Sequence, residues 1–595
     1  MTTYPKIGIR PTIDGRQGGV RESLEDKTMA MAYAAKALIE SQLKYADGTP
    51  VQCVVASRTI GGRGDAGIVA DEFIKHNIVA TLSVTPSWCY GTETMDLDPH
   101  TIKAIWGFNG TERPGAVYLA AATSGYIQKG IPVFKIYGHD VQDLDDNSIP
   151  DDVARKILLF ARAAVAVGQM KGKSYVNLGS SSMGIAGSQV TTSFFEEYLG
   201  MMVEFVDMTE ILRRMKLGIY DHSEYERALQ WIKANCKEGI DINEGKTFPE
   251  VITRSKVIPP EQDWEFIAKQ AIIIKDILFG NPRLNAIGWK EEARGRNAIS
   301  GGFQGQRQWT DWLPNGDFTE AILASTFDWN GRKAPTAFAT ENDTLNAVAM
   351  LFGTLLTNKA PIFSDVRTYW SPESVERITG KRLEGKAKDG LLHLINSGAS
   401  ALDGTAAAKD SEGKPTMKEF WNMTDSDISA CLAKTDWCRA NYEYFRGGGF
   451  SSHFKTEGEL PVTLMRVNLV NGIGPTLQIA EGYTCVLDDD IHTILDERTD
   501  KTWPTTWFAP NLGEAGFESV YDVMNHWGSN HGAFVHGYIG AEAITLASML
   551  RIPVSLHNVS SERLFRPSNF DGVGTKDLEA SDYRMCQLLG PLYSR

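Results

Sequence analysis

Short apolar runs alternate with segments of helical period through the first half of the chain, and that alternation limits the fold more than any other feature. Lys6 to Ile9, Val51 to Val55, Val79 to Val84 and Val133 to Ile136 read as strands, while Glu22 to Tyr45 and Asp151 to Met170 have the spacing of helices. A strand, a helix and a second strand in the same sheet close as a right-handed crossover, so these strands are expected to be parallel. The pattern restarts near Lys173. Tyr175 to Leu178 is a strand, the turn GSSSMGIAGS follows, Val203 to Val206 is another strand, and Ser223 to Cys236 and Glu261 to Leu278 are helical. Farther along, Pro, Gly and Trp become frequent, and segments such as PVTLMRVNLV (Pro461 to Val470) suit antiparallel strands. The expected fold class is α/β. Two parallel-sheet, Rossmann-like α/β domains (residues 1–172 and 173–354) precede a β-rich α+β C-terminal domain (residues 355–595).

Composition narrows the function classes. With 60 Lys and Arg against 74 Asp and Glu, the formal charge is −14. Nucleic acid and membrane surfaces are polyanionic, so neither is an expected partner. Seven scattered cysteines without a CxxC pair argue against a disulfide framework or a zinc ribbon and fit a reducing compartment. Met1 to Arg10 lacks the layout of a signal peptide, and no apolar run approaches a membrane span, so a soluble cytoplasmic protein is expected. The glycine clusters GGRGDAG and GSSSMGIAG lack the strand–GxGxxG–helix context of a dinucleotide site, which disfavours a nicotinamide-dependent oxidoreductase.

The most informative stretch is KAPTAFATENDTLNAVAMLFGTLLTNKAPIFSDVRTYW, Lys333 to Trp370. It reads as strand, helix, strand. Thr336 to Thr340 runs into Glu341, Asp343 or Thr344 caps a helix through about Leu356, and Pro361 to Ser364 runs into Asp365. A crossover would set the two strands side by side and bring Glu341 and Asp365 to one carboxyl edge, where open α/β sheets bind ligands. Two adjacent carboxylates either share a proton, share a hard cation, or are separately occupied as helix caps and partners of Arg367 or a lysine. NHWGSNHGAFVHGYIGAE holds three of the eleven histidines, His526, His531 and His536. Their spacing of five excludes an HExxH helix, but one imidazole could complete a carboxylate metal site. Trp88, Tyr444, Trp503 and Trp507 lie beside turn residues, where an aromatic face suits either core packing or sugar C–H groups.

At these residues the chain resembles the L-fucose isomerase family nearly end to end. RPTIDGR, SVTPSWCYGTETMD, GFQGQRQW, ATEND, PIFSDVR, LINSGA, EYFRGGGF, TWPTTWF, NHG and LASMLRIPV carry the likeness. The resemblance implies a homohexamer in which the N-terminal domain of one subunit helps close its neighbour's site. It implies Mn²⁺, replaceable by Co²⁺ or Mg²⁺, bound by Glu341, Asp365 and His531, and reversible conversion of L-fucose to L-fuculose and of D-arabinose to D-ribulose. Glu341 and Asp365 would exchange protons with the two reacting carbons while the metal stabilises enediolate charge. Arg16, Trp88, Gln304, Ser397, Tyr444, Trp503 and Asn530 match sugar-pocket positions, with Trp88 contributed from the neighbouring subunit. The alternatives are an L-arabinose isomerase-like enzyme and a non-catalytic, two-lobed sugar-binding protein.

Overall fold

The computed structural model describes residues 4–513, 516–567 and 578–594. Five strands, β1 (Lys6–Pro11), β2 (Cys53–Val55), β3 (Ile78–Thr85), β4 (Ile102–Gly107) and β5 (Val133–Tyr137), form a parallel sheet in the order β2-β1-β3-β4-β5. One face of its central strands is apolar, while the other carries Arg10, Thr81, Ser83, Thr85 and Lys103, buried as well. Ile7, Ile9, Ala80, Leu82, Val84, Ala104 and Trp106 are all buried.

The long helix α1 (Asp151–Met170) leads to a second parallel sheet. Its strands β6 (Ser174–Leu178), β7 (Met202–Val206), β8 (Ala298–Phe303) and β9 (Ala337–Ala339) lie in the order β9-β8-β6-β7. Helix α2 (Asp317–Ala324) lies between β8 and β9 in the chain and is buried along its whole length.

The C-terminal third is antiparallel. Strands β10 (Ile362–Trp370), β11 (Leu391–Ile395), β12 (Pro461–Val470), β13 (Gly474–Thr484), β14 (Thr505–Pro510) and β15 (His531–His536) pair in the order β12-β15-β10-β11-β14-β13. Because β12 also pairs with β13, the six strands close into a ring. Closure removes the unpaired edges that an open antiparallel sheet would expose. A short strand, β16 (Val554–Leu556), adds to β13 in parallel. A smaller three-stranded sheet joins Lys237–Asp241 to Asp436–Arg439 and Phe450–His453, so a segment expected in the second domain is paired with the last third.

One expectation is corrected. The strands that precede Glu341 and contain Asp365 are not neighbours. β9 belongs to the second parallel sheet and β10 to the antiparallel ring, so the segment between them is no crossover within one sheet. The connecting helix α3 (Thr344–Thr357) explains the difference. Thr344 to Leu356 are all buried, and the helix packs on β8 and β9 on one side and on β12 and β15 on the other. A crossover helix on one sheet keeps a polar outer face, whereas this helix is a shared core element between two sheets. Gly353 allows the approach to β15, since a Cβ there would stand 2.5 Å from Val535 Cγ1.

Candidate metal and sugar site

Glu341 lies in a sharp turn between β9 and α3. Both Glu341 (φ 56°) and Asn342 (φ 51°) are left-handed, a conformation that costs a non-glycine residue on the order of 1–3 kcal/mol. Buried hydrogen bonds hold the turn. The Tyr175 hydroxyl donates to Asn342 Oδ1 at 2.7 Å, and Asn342 Nδ2 donates to Asn177 Oδ1 at 2.7 Å. Gly302 on β8 makes room, because a Cβ there would lie 2.6 Å from Asn342 Oδ1. The next residue, Asp343, caps α3 by accepting from the Asn346 amide at 3.0 Å. Asn346 Nδ2 in turn donates to the Gly532 carbonyl at 3.1 Å, tying α3 to β15.

The antiparallel ring supplies the other two groups. Asp365 on β10 is the register partner of His531 on β15, and the Val366 amide donates to the Asn530 carbonyl at 2.8 Å. His531 Nε2 lies 3.2 Å from Asp365 Oδ1 and 3.5 Å from Glu341 Oε2, so two carboxylates from different sheets meet at one imidazole nitrogen. The other ring nitrogen, Nδ1–H, donates to Asp343 Oδ2 at 2.6 Å. That bond fixes the imidazole so that Nε2 faces the carboxylates. Arg466 also reaches Asp343 Oδ2, at 2.6 Å, and both side chains are fully buried.

The electrostatics follow from burial and pairing. Burial pushes Asp343 up, but Arg466 and His531 outweigh it and hold the carboxylate well below its ordinary range. Burial also opposes a charged His531, yet its hydrogen bonds to Asp343, Asp365 and Glu341 raise it well above the usual histidine value. Two further acids lie in the first turn of α2. Burial pushes both Asp317 and Glu320 well above the carboxylate range. The nearby Glu341 raises Asp317 further, and Asp317 and Glu341 do the same to Glu320.

No set of three or more such side chains among the described residues forms a ready-made metal cage. The separations are those of hydrogen-bonded partners. The donor set nevertheless suits a divalent ion of intermediate hardness. Two carboxylate oxygens and one imidazole nitrogen converge, the imidazole is oriented from behind by a carboxylate, and the Asp365 side chain is 21 % exposed.

Other expected site residues fall into two groups. Asn530 Nδ2 lies 2.9 Å from His531 Nε2. Gln304 follows β8 at the carboxyl edge, donating to Gln308 Oε1 and accepting from the Ser180 amide. Ser397 follows β11, and its amide donates to Asn396 Oδ1 at 2.7 Å, while Asn396 Nδ2 reaches the Thr340 hydroxyl at 3.3 Å. Tyr444 and Trp503 pack with ring centroids 5.8 Å apart, and Arg367 lies over Trp503 while standing 3.7 Å from Asp365. Arg16 and Trp88 form the second group. Both lie on the first domain, Arg16 bonded to Asp14 with 60 % of its side chain exposed and Trp88 itself 38 % exposed. No hydrogen bond, ion pair or ring contact among the described residues links them to the Glu341–Asp365–His531 cluster.

His526 and His536 stay apart from the cluster: His526 Nδ1 bonds the Asp522 carbonyl, and His536 contacts Lys359 and the Met417 carbonyl. Sequence reading missed three kinds of group. Asp343 was legible only as a helix cap. Arg466, the one charged residue of PVTLMRVNLV, carried a signal as a charge inside a core strand. Asp317 and Glu320, interleaved with Phe318, Ile322 and Leu323, carried the same signal in a helix. A cavity of about 590 Å³ opens at the opposite, amino-terminal edge of the second sheet, beside Ala298 and Thr336, and includes none of the cluster.

Comparison with known proteins covers the whole chain. Residues 4–172 match the first N-terminal domain of L-fucose isomerase, residues 173–358 the second N-terminal domain and residues 394–558 the C-terminal domain. An L-fucose isomerase of Clostridium perfringens is 79 % identical over 595 residues, covering 100 % of both chains. Those of Bacteroides thetaiotaomicron and Streptococcus pneumoniae (strain P1031) are each 58 % identical, over 597 and 594 residues, again covering 100 % of both chains.

Proposed function

Since this chain belongs to the L-fucose isomerase family and is an aldose–ketose isomerase, we propose that it interconverts L-fucose and L-fuculose, and D-arabinose and D-ribulose, at the Glu341–Asp365–His531 cluster. Those three side chains hold Mn²⁺, with Co²⁺ or Mg²⁺ as substitutes. One observation carries this reading: His531 Nε2 lies within 3.5 Å of carboxylates from two different sheets while its Nδ1 is locked by Asp343.

The chemistry requires moving a proton between adjacent carbons. A sugar C2–H is a poor acid until the neighbouring carbonyl is polarised. A divalent ion held by Glu341, Asp365 and His531 would supply that polarisation as a Lewis acid. Glu341 and Asp365 approach from different sheets, so one removes the C2 proton and the other, as the acid, returns a proton at C1. With an ion bound, His531 would contribute an unprotonated Nε2, and the Asp343 carboxylate at its Nδ1–H would make that nitrogen a stronger donor. Gln304, Ser397 and Asn530 present amide and hydroxyl groups to the sugar hydroxyls. Tyr444 and Trp503 present an aromatic surface to its C–H face.

Arg16 and Trp88 act in a neighbouring subunit of a cytoplasmic homohexamer. Their exposure on the first domain supports this reading. No helix among the described residues is long and apolar enough to cross a membrane. The test is a coupled ketose assay across a panel of aldoses, with chelated and Mn²⁺-restored enzyme. L-fucose and D-arabinose are expected to give ketose only when metal is restored. Turnover that survives complete metal removal, or no ketose from L-fucose, would end the proposal.

A further inference from the structure

The turn GSSSMGIAGS, Gly179 to Ser188, holds none of the proposed site residues, yet it is bonded to three parts of the site. The Ser180 amide donates to Gln304 Oε1 at 3.0 Å, and the Ser180 carbonyl accepts from Asn342 Nδ2 at 3.2 Å. Farther along, the Ser182 hydroxyl donates to the Gln306 carbonyl at 3.0 Å. The Gly187 carbonyl accepts from Arg466 Nη2 at 2.9 Å, and Arg466 is the partner of Asp343. Gly179 is left-handed at φ 92°, and a Cβ there would stand 2.9 Å from Gln304 Oε1, so the turn is fitted closely to that side chain. Residue 180 therefore stands between the amide of Gln304 and the residue that follows Glu341.

Asn342 is 2 % exposed, and both ends of its amide are engaged. Oδ1 accepts from the Tyr175 hydroxyl at 2.7 Å, while Nδ2 donates to Asn177 Oδ1 at 2.7 Å and to the Ser180 carbonyl. A carbonyl can only accept, so the Ser180 contact defines which way the amide points. The backbone of Asn342 is left-handed at φ 51°. Glycine would adopt this conformation at lower cost, so what asparagine adds is the three bonds.

We propose that Asn342 is a positioning residue for the isomerase reaction: through the Ser180 peptide it holds the turn of Glu341 and the amide of Gln304 in one frame. The proton-transferring carboxylate and a sugar contact are then set together, with Tyr175 and Asn177 anchoring the frame to β6. Displacing Asn342 moves Glu341 directly, as its chain neighbour, and Gln304 through the Ser180 peptide. This inference rests on the roles proposed for Glu341 and Gln304.

The test is Asn342→Gly, which keeps the left-handed backbone accessible and removes all three bonds. It is assayed with L-fucose at saturating Mn²⁺, well below its unfolding midpoint, alone and combined with Gln304→Ala. Its metal-free form is titrated calorimetrically with Mn²⁺. The substitution is expected to lower kcat by about 10- to 100-fold, as for a catalytic group displaced by about 1 Å, and Mn²⁺ affinity by about 10-fold. KM is expected to rise about 3- to 10-fold alone but by less than about 2-fold when added to Gln304→Ala, because both changes weaken the same contact. Should the glycine variant not fold, Tyr175→Phe removes one of the three bonds and takes its place, with an expected kcat loss of about 3- to 10-fold. A kcat within about 2-fold of wild type overturns the proposal, as does unchanged Mn²⁺ affinity or a KM rise of equal size in both backgrounds, the pattern of a merely loosened fold. Glu341→Gln and Gln304→Ala are measured alongside. If the first turns over normally or the second leaves KM unchanged, the role of that residue falls and this inference with it. If both are impaired while Asn342→Gly is normal, only the inference falls.

Discussion

Replacing Asp343 by Asn separates its charge from its shape. With its single carbonyl oxygen accepting from the Asn346 amide, asparagine keeps the capping contribution of about 1 kcal/mol, but its NH2 replaces the oxygen that accepts from His531 Nδ1 and Arg466. What disappears is the negative charge opposite Arg466, which is fully buried and has no other carboxylate partner among the described residues. Leaving one member of a buried pair unmatched costs about 3–5 kcal/mol. At about 2–4 °C per kcal/mol for a domain of this size, the metal-free protein is expected to lose about 6–20 °C in its unfolding midpoint. The imidazole also loses its anionic support, and metal affinity is expected to fall about 10- to 100-fold. Thermal unfolding of metal-free protein and isothermal titration with Mn²⁺ measure the two effects separately. The pH dependence has a defined sign. The folded Asp343 lies below its unfolded value, so its contribution is complete above about pH 4 and is lost as pH falls through the lower folded value. His531, raised by the same contact, contributes a share that is full below about pH 6.5 and is lost as pH rises through its higher folded value. The stability gap between wild type and Asp343→Asn should therefore close in acid. A midpoint within about 1 °C of wild type together with metal affinity within about 3-fold would refute the reasoning.

Three further outcomes are expected. Glu341→Gln and Asp365→Asn should each lower kcat by about 10²-fold or more while the protein stays folded; near-normal turnover in either makes that carboxylate structural. Trp503→Ala should raise KM for L-fucose about 3- to 10-fold, the value of one aromatic contact, and a KM equal to wild type removes Trp503 from the sugar surface. Burial raises Asp276, on the helix Asp263–Phe279, to about 6, so its folded form holds a proton that the unfolded chain releases near pH 4. Stability from this group is lost as pH rises through about 6, and Asp276→Asn should gain on wild type in unfolding midpoint between about pH 4 and 7. A difference that does not change with pH counts against that assignment.

The sequence made local elements legible because apolar period is a local property. Pro461 to Val470 and Asp151 to Met170 were readable at their observed bounds. The pairing of those elements was not readable. Thr344 to Leu356 has the composition of any buried helix, and nothing in its spacing separates a crossover on one sheet from a core helix shared by two. The site shows the same division. Glu341 and Asp365 stood out as acids beside apolar runs, and the NHG likeness picked out His531. The pairing of Asp365 with His531 spans strands far apart in the chain, and antiparallel register across such a distance leaves no local trace. Asp343 was hidden because its capping role already accounted for it. Arg466 and Glu320 were visible as charges in apolar surroundings, but a buried charge announces only that a partner exists.

Asp365 and His531 are rungs of one ladder in a sheet that closes on itself, so slipping one past the other would require breaking the whole circuit of strands. Glu341 hangs from a different sheet. Two of the three groups accordingly travel as a unit, and the third arrives only when the middle of the molecule is seated against the ring. Any substitution that loosens that seat, even one far from all three side chains, would dismantle the trio while leaving each half well folded.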